Sequence, residues 1–314
     1  MDRLLFGDNQ FFGVNHMSEE KARGQLMRFQ TMKAVIDVLD AALEEGIRTF
    51  MCTTHDRIAE VCDHIRLNPA RYRDYILYPC MPYAHKYNDA VTELGMLGAL
   101  KKFLPGGSLL DVAVQGGAAL AKKDIEGIVR LLIDAEMKMF SGLNTPVIFL
   151  QNVVADFLMG LGFREAFRIF AAHVKERYGA EPGFITMNMP LMLDLLEEVG
   201  VENPIICANI NKIGFRMCGG IDLYEKTLAE REFRPIAMSA LASGAIQPEE
   251  AIAYVCGLPN VKSIVFGASN RGNIEQIKAL VEQMDLSRAA SAKPERRKTG
   301  GEIANPNGRG PLNR

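Results

Sequence analysis

Val261-Lys-Ser-Ile-Val-Phe-Gly-Ala-Ser-Asn-Arg-Gly-Asn-Ile-Glu-Gln276 is the stretch on which the fold turns. A β-branched apolar run ends in Gly267-Ala268-Ser269-Asn270, and apolar residues then recur at helical spacing through Ile274, Ile277 and Leu280. The pattern predicts a buried strand, a tight turn and a helix N-terminus. Gly267 and Ala268 allow a ligand close to the backbone, and Ser269 or Asn270 can cap the helix. Free N–H groups and the helix dipole at such a start favour an anion, most often a phosphate. The motif closes a long α/β chain, and the last strand–helix pairs of an eight-stranded barrel often hold phosphate.

Working back from that stretch, helices alternate with short, nearly all-apolar strands. Helical spacing over residues 32–43 stops at Gly46, and strand patterns follow at 47–53 and 75–80. Further strands read at 146–150, 183–187, 204–208, 234–238 and 263–266, with either 4–6 or 11–14 as the first. Helices read at 58–65, within 153–178, at 191–199 behind Pro190, at 221–230 and at 248–256. Strands of this kind belong to a parallel sheet covered on both faces. Eight β/α units predict one closed (β/α)8 TIM barrel over residues 1–284. An open doubly wound sheet is the alternative, and no early GxGxxG supports it. Residues 86–140 read as a long, mostly helical crossover, broken at Gly106-Gly107 and Gly116-Gly117. Residues 285–314 read as a flexible basic tail, with seven Lys or Arg against two Glu from Ser287 onward.

The totals exclude several classes. A formal charge of −2 over 314 residues argues against nucleic acid and anionic membrane as partners. No signal-peptide core or apolar run of about 20 residues is present, and the six cysteines include no CxxC pair. A cytoplasmic protein with free thiols is the expectation.

The order of the pieces resembles the aldo/keto reductase family over roughly residues 3–283. Residues 41–50, Ala-Ala-Leu-Glu-Glu-Gly-Ile-Arg-Thr-Phe, are similar to that family's entry into its second strand. Residues 184–211 are similar to its strand–Ser-Asn–helix–strand region. Ser239-Ala-Leu-Ala-Ser-Gly244 resembles its turn after strand seven, and Gly267 to Arg271 resembles the "GaSn" motif on the cofactor's adenosine-side phosphate. The resemblance implies NADP(H) held by Asn188, Ser239, Leu241, Gly267, Ser269, Asn270 and Arg271, with Arg271 facing a 2′-phosphate. The family's Asp, Tyr, Lys and His tetrad falls instead on Met51, on Asp56 or His55, on Cys80 and on Gln151. The family's proton donor is thereby missing, so other acid–base chemistry is expected.

Residues just past strand C-termini supply the active site of such barrels. Here they are strongly polar. His55 is the expected general acid/base, since its ordinary pKa lies nearest neutrality, with Asp56 or Asp8 to orient it. Arg57 is expected to hold a carboxylate or phosphate. His16 joins the catalytic group, and Asp8, Asn9, Cys80, His85, Lys86, Gln151, Asn152 and Asn209 are expected to bind a small, phosphate-bearing, oxygenated metabolite. The bland counterparts are loop and cap roles for His55, Asp56 and Arg57, and turn chemistry for the asparagines. Cys52, Cys80, His16, His55 and His85 lack the paired spacing of a metal site, so no metal is expected. Three other functions stay open: an NADP(H)-dependent oxidoreductase with a rebuilt proton donor, a metal-dependent lyase or hydrolase, and a non-catalytic binding protein. The oligomeric state is open too.

Overall fold

The computed structural model describes residues 1–14, 17–83 and 118–291. Eight parallel strands close on themselves in chain order, each paired with the next and β8 with β1. They are β1 (Leu4–Gly7), β2 (Thr49–Thr53), β3 (Ile76–Met81), β4 (Val147–Leu150), β5 (Glu181–Thr186), β6 (Ile205–Asn209), β7 (Arg234–Met238) and β8 (Ser263–Phe266). The expected TIM barrel is therefore present. Leu4–Gly7 is the first strand; residues 9–12 instead make a 3-10 turn at its mouth end.

Ten α-helices surround the strands among the described residues: α1 (Glu19–Arg28), α2 (Met32–Glu44), α3 (Asp56–Leu67), α4 (Ala118–Met137), α5 (Asn152–Gly160), α6 (Arg164–Tyr178), α7 (Met189–Glu198), α8 (Ile221–Glu230), α9 (Pro248–Gly257) and α10 (Arg271–Ser291). None is long and apolar enough to cross a membrane. Local chemistry explains the boundaries. Thr31 caps α2 by accepting the Ala34 N–H, and the chain leaves that helix through Gly46 at φ +82°. Asn188 caps α7, with Pro190 in its first turn. Asn270 caps α10 through the Asn273 N–H at 2.9 Å. That last helix continues to Ser291, so residues 285–291 are not tail as expected; residues 292–314 lie outside the described residues. Most of the expected 86–140 crossover, up to residue 117, lies outside them as well.

Strand side chains alternate, which sorts the core into two layers. Phe6, Phe50, Leu77, Ile148, Phe184 and Ile264 point outward and pack under the helices. Leu5, Met51, Cys80, Phe149, Ile185 and Cys207 point inward and fill the barrel. Gly183 is required in that filling, because a β-carbon there would lie 2.4 Å from the Phe149 ring. The inner layer stops short of the strand C-termini, and that shortfall leaves the mouth hollow.

Candidate active site

The hollow is a cavity of about 400 Å³ over the C-terminal ends of the strands. Its floor is Met51, Cys80, Ile185, Cys207 and Met238, the upper end of the barrel filling. Polar groups from strand ends and turns make the walls: Asp8 and Asn9 after β1, Thr53 on β2, Gln151 and Asn152 after β4, and Ser239 after β7. Gly267 after β8 closes the circle.

Asp8 is the carboxylic acid of this wall among the described residues. It is 5% exposed, and its Oδ2 accepts both the Thr53 N–H and the Thr53 hydroxyl, each at 2.7 Å. Burial pushes its pKa up to about 6, against the lowering effect of the Thr53 bonds. The thiols nearby are different: burial raises the pKa of Cys52, Cys80 and Cys207, so each stays protonated at neutral pH. Cys80 donates to the Tyr78 carbonyl at 3.4 Å.

The rim at β7 is conformationally costly. Ser239, Ala242 and Ser243 are non-glycine residues at φ +54°, +45° and +58°, followed by Gly244 at +88°. Left-handed conformations cost roughly 1–2 kcal/mol each for such residues, and they collect at ligand-binding turns. Lys21 of α1 reaches this turn: its Nζ lies 3.2 Å from where a β-carbon on Gly244 would sit. It is the cationic side chain of the cavity wall among the described residues.

Among solved structures the chain is similar to a protein named "putative aldo-keto reductase from Pseudomona aeruginosa", with 14% identity, 90% of each chain covered and a TM-score of 0.56. It is also similar to a "putative 2,5-diketo-D-gluconic acid reductase B", with 12% identity, 95% of this chain and 90% of that one covered and a TM-score of 0.54. The barrel has the aldo/keto reductase fold. A thermostable aldo-keto reductase solved with the inhibitor epalrestat agrees, at 11% identity and a TM-score of 0.50 over 92% of this chain and 95% of that one. No family model and no curated protein matches the sequence. Identity this low fixes the architecture and leaves the chemistry to be read from the residues.

Within that aldo/keto reductase fold, Met51, Cys80 and Gln151 all line the cavity, at the positions where the resemblance puts the family's Asp, Lys and His. The residues expected at the fourth position are elsewhere. His55 is on the mouth side of β2 but outside the cavity lining, with its Nδ1 accepting the Arg57 N–H at 3.0 Å as the cap of α3. Its ring packs 4.4 Å from that of Phe12 and 5.2 Å from that of Tyr83. Asp56 is exposed in the first turn of α3. Arg57 does not face the cavity as expected, because its guanidinium donates to the carbonyls of Phe11 and Phe29. This pins the segment around α1 to the barrel.

Of the residues expected to hold a cofactor, Ser239, Leu241 and Gly267 line the cavity. Ser269, Asn270 and Asn188 do not, the last two being occupied as helix caps. Arg271 is engaged as well, forming ion pairs with Glu44 and Glu45. Of the expected substrate-binding residues, Asp8, Asn9, Cys80, Gln151 and Asn152 come together in the cavity. Asn209 is 2% exposed and lies on the inward face of β6, two residues beyond Cys207, with its Nδ2 unpaired among the described residues. His16, His85 and Lys86 lie outside the described residues.

The sequence reading missed α1 altogether, and with it Lys21 and Gln25 of the cavity wall. A signal existed: Ser18 followed by Glu19 and Glu20 is a helix start, and Ser18 does accept the Lys21 N–H at 3.2 Å. The helix has no buried residue, so it lacks the apolar stripe by which the others were found.

Proposed function

We propose that this barrel is an enzyme acting on a small, anionic, oxygenated metabolite by acid–base chemistry centred on Asp8, without the aldo/keto reductase tetrad. The observation that carries this reading is the Asp8–Thr53 pair in the cavity wall. Thr53 holds Oδ2 with two donors, and the carboxyl group lines the cavity, where it can exchange a proton with the ligand. A pKa of about 6 is well suited to the task, since a carboxyl group so poised both accepts and releases a proton near neutrality. Lys21 and the left-handed β7 turn supply the anion-binding end. Phosphate suits them best, given the wall formed by Ser239, Leu241 and Gly267. His55 remains the second acid–base candidate, on the mouth side of β2 beside the cavity.

NADP(H), which the resemblance implies, fits this site only in part. The β7 turn and Gly267 suit a phosphate group. Arg271, Asn270 and Asn188 are each committed to another partner, so neither the 2′-phosphate nor the carboxamide finds a free residue among those expected. The oxidoreductase reading stays second, carried by the three cavity-lining residues of the cofactor set.

Proton transfer is testable without knowing the natural substrate. A panel of phosphorylated hydroxy- and oxo-compounds is incubated in deuterium oxide, and exchange at carbon is followed by NMR. The expected result is exchange into at least one compound, slowed about 10²–10⁴-fold in Asp8→Asn. Exchange that persists unchanged in Asp8→Asn excludes Asp8 as the base.

A further inference from the structure

Gln10 sits in the 3-10 turn after β1, lines the cavity and is 3% exposed. Its amide orientation is fixed by a neighbour. Nε2 donates to the Gly7 carbonyl at 2.7 Å, and a flipped amide would set two oxygens against each other. Oε1 is therefore the atom turned toward Gly267, and it is buried without a hydrogen-bond partner among the described residues. Gln25 of α1, in the same cavity wall, also carries a buried Oε1 without a partner among the described residues. An orphaned buried acceptor costs about 1–3 kcal/mol, and two in one wall call for an explanation. The space beside Gln10 depends on Gly267: a β-carbon there would come within 2.2 Å of Oε1.

Both acceptors come from the segment between β1 and α2, with Gln25 one helical turn beyond Lys21, so they adjoin the Lys21–β7 rim. Resting on the anionic-ligand reading above, we infer that Gln10 and Gln25 form a specificity subsite that accepts hydrogen bonds from hydroxyl groups of the bound metabolite. Each oxygen is covered as it stands, so a donor meets it only once the amide turns toward the cavity. The terminal amide torsion of glutamine is broad, and a modest turn brings each oxygen to such a donor. A site built to pair with a hydroxyl discriminates strongly against an analogue that lacks it, because its own polar groups are then left unpaired. The subsite thus reads the hydroxylated chain of the ligand, while the rim reads its anion.

Two matched pairs of probes test this by calorimetric titration of the full-length protein. Glycerol 3-phosphate and n-propyl phosphate share an anion and differ in hydroxyls; glycerate and propionate do the same for a carboxylate. The expected result is that the hydroxylated member of one pair binds about tenfold or more tightly, the pair revealing which anion the rim prefers. In Gln10→Met that preference shrinks to about twofold or less while the bare-anion probe keeps its affinity. Gln25→Met, on a helix without buried residues, gives the same direction without risk to the barrel. Equal affinities in the wild type, unchanged preference in both variants, or no binding of any probe would each overturn the subsite. The outcome is separate from the deuterium test, because recognition is read here with Asp8 intact and no proton transfer is required.

Discussion

Arg3, just ahead of β1, and Asp285, near the end of α10, form a two-point ion pair with both bonds at 2.9 Å. The same guanidinium donates to the Val261 carbonyl at 2.8 Å. The first and last elements are thereby clamped together at the foot of the barrel, where β1 meets β8. Asp285→Ala is expected to lower unfolding free energy by about 1–2 kcal/mol in urea titration, a discounted value because both partners are partly exposed. Stability indistinguishable from wild type would mean that α10 contributes nothing through this contact.

Asp8 ties stability to pH. Its folded pKa, about 6, lies above its ordinary value of 3.8, so between these two pH values the folded state binds more protons than the unfolded one. Stability contributed by protonated Asp8 is full below about pH 4 and is lost as pH rises through about 6. The loss is on the order of 3 kcal/mol. Asp8→Asn, which cannot ionise, should gain on the wild type progressively over that window in thermal melts. A stability difference that stays constant from pH 4 to pH 7 is the contrary result.

Gly267→Ala should drive the Gln10 amide off its place, given the 2.2 Å approach. The cost is expected at about 1–3 kcal/mol, the usual range for overpacking. Adding Gln10→Ala removes the obstruction, so the double variant should recover part of the stability and the two changes should couple. Strict additivity in a double-mutant cycle would contradict this contact.

Arg271 decides how far the cofactor resemblance extends. Its ion pairs with Glu44 and Glu45 hold α10 to the end of α2. In fluorescence titration, NADPH is expected to bind weakly, and Arg271→Ala is expected to change that affinity less than twofold. Tight binding lost by a factor of ten or more in the variant would restore Arg271 to a 2′-phosphate site.

His55 and Asp8 make opposite forecasts in the deuterium-exchange assay. With Asp8 as the base, His55→Gln changes the rate less than about tenfold, well inside the 10²–10⁴-fold expected of a general base. Its main effect falls on α3, which loses its cap, worth about 1 kcal/mol. A rate loss in His55→Gln matching that in Asp8→Asn would place both groups in one relay.

The barrel was legible because its signals are local and repeated. The strands at 234–238 and 263–266 and the helix at 221–230 agree with the structure residue for residue, since apolar period and turn chemistry decide them together. Strand ends named the cavity lining for the same reason: Asp8, Asn9, Cys80, Gln151 and Asn152 had to lie at the mouth once the strands were right. What each residue does there was less legible. The commitments of Arg57 to Phe11 and Phe29, and of Arg271 to Glu44 and Glu45, join residues far apart in sequence. No spacing rule announces such partners. His55 drew attention by its type, whereas Asp8 owes its raised pKa to burial, a property of the finished fold.

Because α1 buries no whole residue, its sequence is only weakly coupled to the folding of the barrel beneath it. Exchanging Lys21 or Gln25 for other side chains is expected to cost little stability, so this helix is where a lineage could change its preferred metabolite without rebuilding its core. The same looseness should be visible in hydrogen exchange. Amides of α1 are expected to exchange through local opening, far faster than those of α2, whose apolar face is locked against the strands.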